Sequence, residues 1–306
     1  LYSPTGSGAG SDWFLTQLFG YLGACLAACV VLDFDEAQTV SALGLACMQV
    51  AGGKEAGFGV GSTGRAIYPA FAAMGGVHAA LLAKCGVVGP ASALDGAAGL
   101  FKIYLQGGLG EAQSAVLLAP EGWQFSRTQV KPWPSCRLSH PYVSAALGLR
   151  AQAGDARWRR VEIAVNASAA KLCAPLAERR RPQTLQDAKY SVPYMTAFTL
   201  VTGRVDLSTL NLDALADAQV LALTDRIEIV ERLPDGPGHP PAEVRAEMLD
   251  GRVFTAVASN FDLSEAGVRD KFDACLAFAG RADKAAVLWE GLAGIDDAKD
   301  LDFLFA

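Results

Sequence analysis

The chain has 306 residues, 51% hydrophobic and 19% charged, a balance that excludes a disordered chain and allows a sizeable core. With 26 Lys and Arg against 32 Asp and Glu the formal charge is -6, so no basic footprint for phosphates exists and nucleic acid is not an expected partner. The charge is also unevenly placed. Residues 1–126 hold 4 basic and 8 acidic side chains, whereas 127–306 hold 22 and 24, which predicts two differently built regions.

From Trp13 to Leu32 twenty residues pass without a charge, the length a membrane helix needs. Against that reading, Asp12 flanks one end and Asp33, Asp35 and Glu36 the other, with no Lys/Arg bias to set an orientation. The following apolar stretches are shorter and broken by Gly75-Gly76 or by polar Gln38, Ser41 and Gln49. Helices buried within a bundle are therefore expected, not membrane spans, at about 14–31, 35–51, 66–86 and 91–105, with Asp33 or Asp35 capping the second. The Gly-rich 52–64 segment lacks GxxxxGK[ST] and GxGxxG spacing, so it reads as a connection and not a phosphate cradle. His78, in an Ala-rich helix, is expected to pack.

Beyond Trp123 the period changes. Trp158–Val165, Asp225–Arg232 and Ala242–Leu249 alternate charged and apolar residues, the pattern of half-exposed antiparallel strands. Asp250-Gly251 predicts a two-residue hairpin turn into 252–258. Tyr194–Thr202 has helical character, 234–241 is a Pro/Gly loop containing His239, and helix returns beyond Asn260 with Ser264 or Asp262 as its cap. Seven cysteines form no CxxC pair and no metal-ligand cluster, so no metal and a reducing cytoplasm are expected. The chain begins at Leu1, and whether residues precede it stays open.

Four segments together resemble the MmgE/PrpD family, which includes 2-methylcitrate dehydratases, cis-aconitate decarboxylase and iminodisuccinate epimerase. They are GSTGRAIYPAFAAMGGVHAALLAKCGVVGP (61–90), VKPWPSCRLSHPYVSAAL (130–147), AKYSVPYMTAFTLVTGRV (188–205) and KFDAC (271–275). The resemblance implies a mainly α fold with an α+β insert. A helical domain over 1–124 would be followed by a smaller lid over 125–262, and helices over 263–306 would rejoin the first domain.

The resemblance also implies a cofactor-independent lyase or isomerase acting on a small acid. It places a helical segment with an Asp/Thr/His group upstream of the position of Leu1. Lys131 matches a family active-site lysine and Cys136 a position that is Cys or His among members, with His140 close by, so these three are the catalytic candidates. Arg65 falls where the family has a lysine, Tyr68 where it has a histidine, and Phe14 where a second histidine would stand. Arg65, Tyr68 and Tyr194 are the substrate-binding candidates. Arginine can grip a carboxylate bidentately but cannot act as a base, whereas Lys131 could exchange a proton if burial lowered its pKa.

Plain structural alternatives accompany each candidate: solvated cations for Lys131 and Arg65, a packed thiol for Cys136, a helix-start hydrogen bonder for His140. The loss of a histidine at Phe14 keeps open a pocket repurposed for a less polar substrate. A non-catalytic member serving as partner subunit or scaffold is the competing reading. The expected partners are a small-molecule acid and a second copy or complementary chain.

Overall fold

The computed structural model describes residues 13–55, 59–105, 110–118, 128–154, 157–235, 241–259 and 261–305. Asp12, His239 and the expected 124/125 boundary lie outside the described residues. The chain divides into two compact units, 1–126 and 127–306.

The first unit is helical. Its three long helices are α1 (Leu15–Val31), α2 (Glu36–Cys47) and α3 (Tyr68–Lys84). Asp35, not Asp33, caps α2: its carboxylate accepts the Gln38 amide at 2.8 Å while the Gln38 side chain accepts the Asp35 amide at 3.1 Å. Asp33 instead takes the left-handed conformation, φ 55°, in the turn after α1. Pro69 sits in the first turn of α3, where a missing N–H costs nothing.

Small residues let α3 lie against α1. A Cβ on Gly76 would stand 2.5 Å from the Tyr21 carbonyl oxygen and 2.7 Å from the Cys25 nitrogen. The core here is made of Cys25, Cys29, Ala42, Ala46, Ala79 and Ala80, with Leu18, Tyr21 and Leu100 in a neighbouring cluster. Burial pushes the Cys25 thiol up to about 12 and Cys47 to about 11, so both are packed neutral thiols. His78 is exposed on α3, not packed as expected. The expected helix over 91–105 is helical only at Leu100–Tyr104, because Gly96 and Gly99, poor helix formers, close turns onto the carbonyls of Ser92 and Gly96.

The second unit packs helices on a four-stranded mixed sheet. Its strands are β1 (Trp158–Val165), β2 (Ile227–Glu231), β3 (Ala242–Met248) and β4 (Val253–Ala258), in the order β2-β1-β3-β4. β1 pairs antiparallel with β3, and β3 with β4, but β1 and β2 run parallel, Val161 opposite Ile227. The all-antiparallel expectation is corrected on this edge: alternation reports which face a side chain takes, not the direction of the neighbouring strand. The β3–β4 connection is also longer than expected. Met248 pairs with Arg252 across Leu249, Asp250 and Gly251, and only Gly251 has positive φ (86°), the three-residue form of the turn.

Helix α4 (His140–Ala153) packs on β3 and β4, and α5 (Val192–Thr202) packs on α4. Ser191 caps α5 by accepting the Tyr194 amide at 3.0 Å, and Gly203 ends it in the left-handed region. Large side chains fill this core: Tyr142, Leu149, Ile163, Met195, Phe198 and Leu200 are essentially fully buried. The C-terminal helices α6 (Glu265–Phe278), capped by Ser264, and α7 (Ala285–Ala293) fall in this unit and meet through Phe272 and Trp289, 5.3 Å between ring centroids. The fold is mainly α with a small mixed sheet. Among the described residues no helix is long and apolar enough to cross a membrane.

Candidate active site

The segment leading into α4 carries the chemistry of the second unit. Pro132 and Pro134 supply no donors, so the chain turns tightly, with the Ser135 amide on the Trp133 carbonyl at 2.9 Å. The Cys136 amide then donates to the Lys189 carbonyl at 2.8 Å, which ties the segment to the residues just before α5. Lys131 is exposed and its Nζ donates to the Ser135 carbonyl at 3.2 Å. The burial expected to make Lys131 exchange a proton is therefore missing. Its own carbonyl accepts from the Lys271 ammonium.

Cys136 is half-buried beside two serines that the sequence reading passed over. Ser135 Oγ and Ser139 Oγ are 2.8 Å apart, and Ser139 Oγ donates to the Cys136 carbonyl at 2.7 Å. The only signal for them was their i, i+4 spacing around Cys136, which is too common to single out.

His140 lies beneath this surface, fully buried. Its ring meets Trp133 and Phe261 edge-on, with centroids 5.3 and 5.0 Å away. Burial, reinforced by the positive charges of Lys131 and Arg137, lowers its pKa to about 4. The Ser135 and Trp133 carbonyls oppose that shift, but neither ring nitrogen has a partner within hydrogen-bond geometry. His140 is thus a neutral ring wedged between aromatics, and it does not reach solvent to exchange protons with a ligand.

Tyr194 is also placed away from a ligand. It is fully buried in α5, stacked near Phe198, and its hydroxyl donates to the Ala214 carbonyl at 2.6 Å. The sequence expectation of a substrate-binding tyrosine is corrected by this packing, since its one proton is already spent on the backbone.

In the first unit, the structure brings together three of the positions singled out from the sequence. The Phe14 and Tyr68 rings are 4.6 Å apart, and the Arg65 guanidinium stands 4.9 Å from the Phe14 ring centre. Phe14 is fixed because its amide donates to Gly52 at 2.7 Å and its carbonyl opens α1. Tyr68 opens α3 and Arg65 lies in the single turn before it. The guanidinium is thus braced on an aromatic face, and its Nε is buried. Among the described residues no group of His, Cys, Asp and Glu has the makings of a metal site.

Sequence comparison matches residues 4–112 to the MmgE/PrpD N-terminal domain and residues 133–292 to the MmgE/PrpD C-terminal domain. The chain belongs to the MmgE/PrpD family. Phe14, Arg65 and Tyr68 fall within the first MmgE/PrpD match, Cys136 and His140 within the second, and Lys131 two residues before the second begins. A curated relative is the cis-aconitate decarboxylase-like protein oryM of Aspergillus oryzae, 27% identical over 285 residues, which cover 85% of this chain and 57% of the relative. The chain therefore spans little more than half the length of that relative.

Proposed function

We propose that this protein is a lyase or isomerase acting on a small polycarboxylate or related acid, without a metal or organic cofactor. The observation that carries the reading is the exposed Lys131 ammonium, held by the Ser135 carbonyl at the position where the family resemblance puts an active-site lysine. A decarboxylase-type step suits that charge state. The bond from a carboxylate to its carbon breaks, CO2 leaves, and the electron pair stays on carbon, delocalised into a neighbouring unsaturated carboxylate. The Lys131 ammonium then delivers the proton to carbon. Arg65, in the first unit, is kept as a separate substrate-binding candidate because a guanidinium can hold a carboxylate bidentately. Cys136 belongs to the same turn-rich segment as Lys131, while Tyr68 and Phe14 give Arg65 partly apolar surroundings within the first unit.

The test is a panel of aconitate-like and citrate-like acids, followed by CO2 release and by double-bond absorbance. Lys131→Met should lower kcat by about 10²-fold or more, the usual share of a positioned proton donor. Arg65→Gln should act mainly on KM. Turnover that survives Lys131→Met undiminished would remove Lys131 from the mechanism.

A second reading, a non-catalytic partner subunit or scaffold, draws on Phe14, whose ring cannot transfer a proton where the resemblance places a histidine. It predicts acid binding without turnover. In both readings the proposed assembly is a homodimer or a pair with a complementary chain, checked by sedimentation. The seven free thiols support a reducing, cytoplasmic location.

A further inference from the structure

The second unit carries an arginine cluster remote in sequence from the residues around Lys131. Most arginines on and beside the sheet are paired: Arg159 with Glu247 at 3.1 Å, Arg160 with Glu228, Arg181 with Asp225 at 2.6 Å, and Arg232 with Glu162 and Glu243 at 2.8 and 2.6 Å. Three others break the pattern. Arg150, Arg157 and Arg226 line one cleft of about 400 Å³, and among the described residues no carboxylate lines it with them. Among the described residues none of the three forms an ion pair.

Arg226 also borders a second cleft with Asp225, Glu228 and Glu247, but in the cleft it shares with Arg150 and Arg157 no described carboxylate offsets the repulsion among the three guanidinium groups. Bonds to backbone carbonyls hold two of them in place without neutralising them. Arg150 Nη1 donates to the Leu200 and Val201 carbonyls, both at 2.8 Å, and Arg226 Nη1 reaches the Trp158 carbonyl at 3.4 Å. Each guanidinium has five N–H donors, so most of the fork stays open for an oxyanion. The remaining wall is mixed, with Trp158 and Leu223 on the apolar side and the Gln219 amide at the edge.

We infer that this cleft is a binding site for a phosphate monoester, with the doubly charged phosphate on Arg157 and Arg226 and the apolar body of the ester against Trp158 and Leu223. Phosphate is the favoured head group because its oxygens accept several charge-assisted bonds at once and its charge answers more than one arginine.

The experiment is calorimetric titration of the full chain with phenyl phosphate, with inorganic phosphate and benzoate as comparison arms. Saturable binding of phenyl phosphate is expected, weaker for inorganic phosphate and weakest for benzoate. Arg157→Gln and Arg226→Gln should each weaken phenyl phosphate by about tenfold, as the loss of a charge-assisted contact does. Lys131→Met should leave that affinity unchanged, which separates this site from the proposed catalytic one. Arg159→Gln, which removes an arginine already paired with Glu247, controls for loss of general positive charge and should have little effect.

Circular dichroism of each variant checks the fold. The site assignment is overturned if phenyl phosphate gives no saturable heat, if folded Arg157→Gln/Arg226→Gln binds as well as the unaltered chain, or if Arg159→Gln weakens binding equally. Equal affinity for inorganic phosphate and phenyl phosphate overturns the apolar wall. Tighter binding of benzoate overturns the choice of head group.

Discussion

The two units solve the packing problem in opposite ways. In the first, helices approach closely, with Gly76 of α3 against the backbone of Tyr21 and Cys25 of α1 and Gly75 against the Tyr21 ring, and the buried side chains are mostly Ala and Cys. In the second, volume fills the space between helices and sheet, and Tyr142, Phe198, Leu149 and Met195 are the buried bulk. A core built on proximity is intolerant of added atoms, whereas a core built on volume is intolerant of removed ones. The contrast also explains the charge distribution. Helices that touch through Ala and Gly leave little edge for ion pairs, while the outer face of a sheet presents the alternating positions where Arg159, Arg160 and Arg232 find their carboxylates.

Truncation in the second core should have the largest effect. Phe198→Ala is expected to cost about 3–5 kcal/mol in urea unfolding, since the buried ring leaves a cavity under α5; a cost below about 1 kcal/mol would show that this core is not volume-limited. The reverse substitution probes the first unit. Gly76→Ala adds a single methyl, yet its Cβ meets backbone at 2.5 Å, so a loss of about 1–3 kcal/mol is expected where a glycine-to-alanine change in an open helix would stabilise. A gain in stability there would end the backbone-contact account.

The smallest expected effect distinguishes the units by pH. His140 titrates near 4 when folded and near 6.5 when unfolded, so between those values the unfolded chain holds more protons. Stability is therefore complete above pH 6.5 and falls as pH drops towards 4, by about 1–2 kcal/mol between pH 7 and 5. His140→Leu should flatten that dependence without a large penalty at pH 7, because the ring nitrogens it removes have no partners to abandon. The urea midpoint at the two pH values measures it.

Much of this fold is legible in the chain. The uncharged run ending at Leu32 delimits α1, an aspartate at 33 or 35 marks the start of α2, and alternation over 158–165 gives β1 to the residue. What escaped reading depends on partners distant in sequence. Nothing local distinguishes a parallel from an antiparallel neighbour, so β2 was misdirected. The helical residues of 91–105 were overextended through two glycines that close turns.

The site was legible in kind more than in geometry. Arg65, Tyr68 and Phe14 do meet, although 51 residues separate Phe14 from Arg65. Lys131 and Cys136 come within one short turn-rich segment. By contrast, the burial of Tyr194 comes from α5 being enclosed by α4 and by the helix at Ala218–Thr224, and Lys271 reaches the Lys131 carbonyl from 140 residues away. Neither fact has a local signature.

The pairing of β1 also sorts the sheet by how much chain each contact has to close. β3 and β4 are joined by three residues and can zip together at once. Both neighbours of β1 are remote: β2 lies beyond segment 166–226, which includes α5, and β3 beyond 166–241, so the loop-closure entropy of a long stretch is met before either set of β1 bonds forms. β1 stands inside the sheet with non-local contacts on both sides, and joining it to the β3–β4 hairpin is the slow step in closing the sheet.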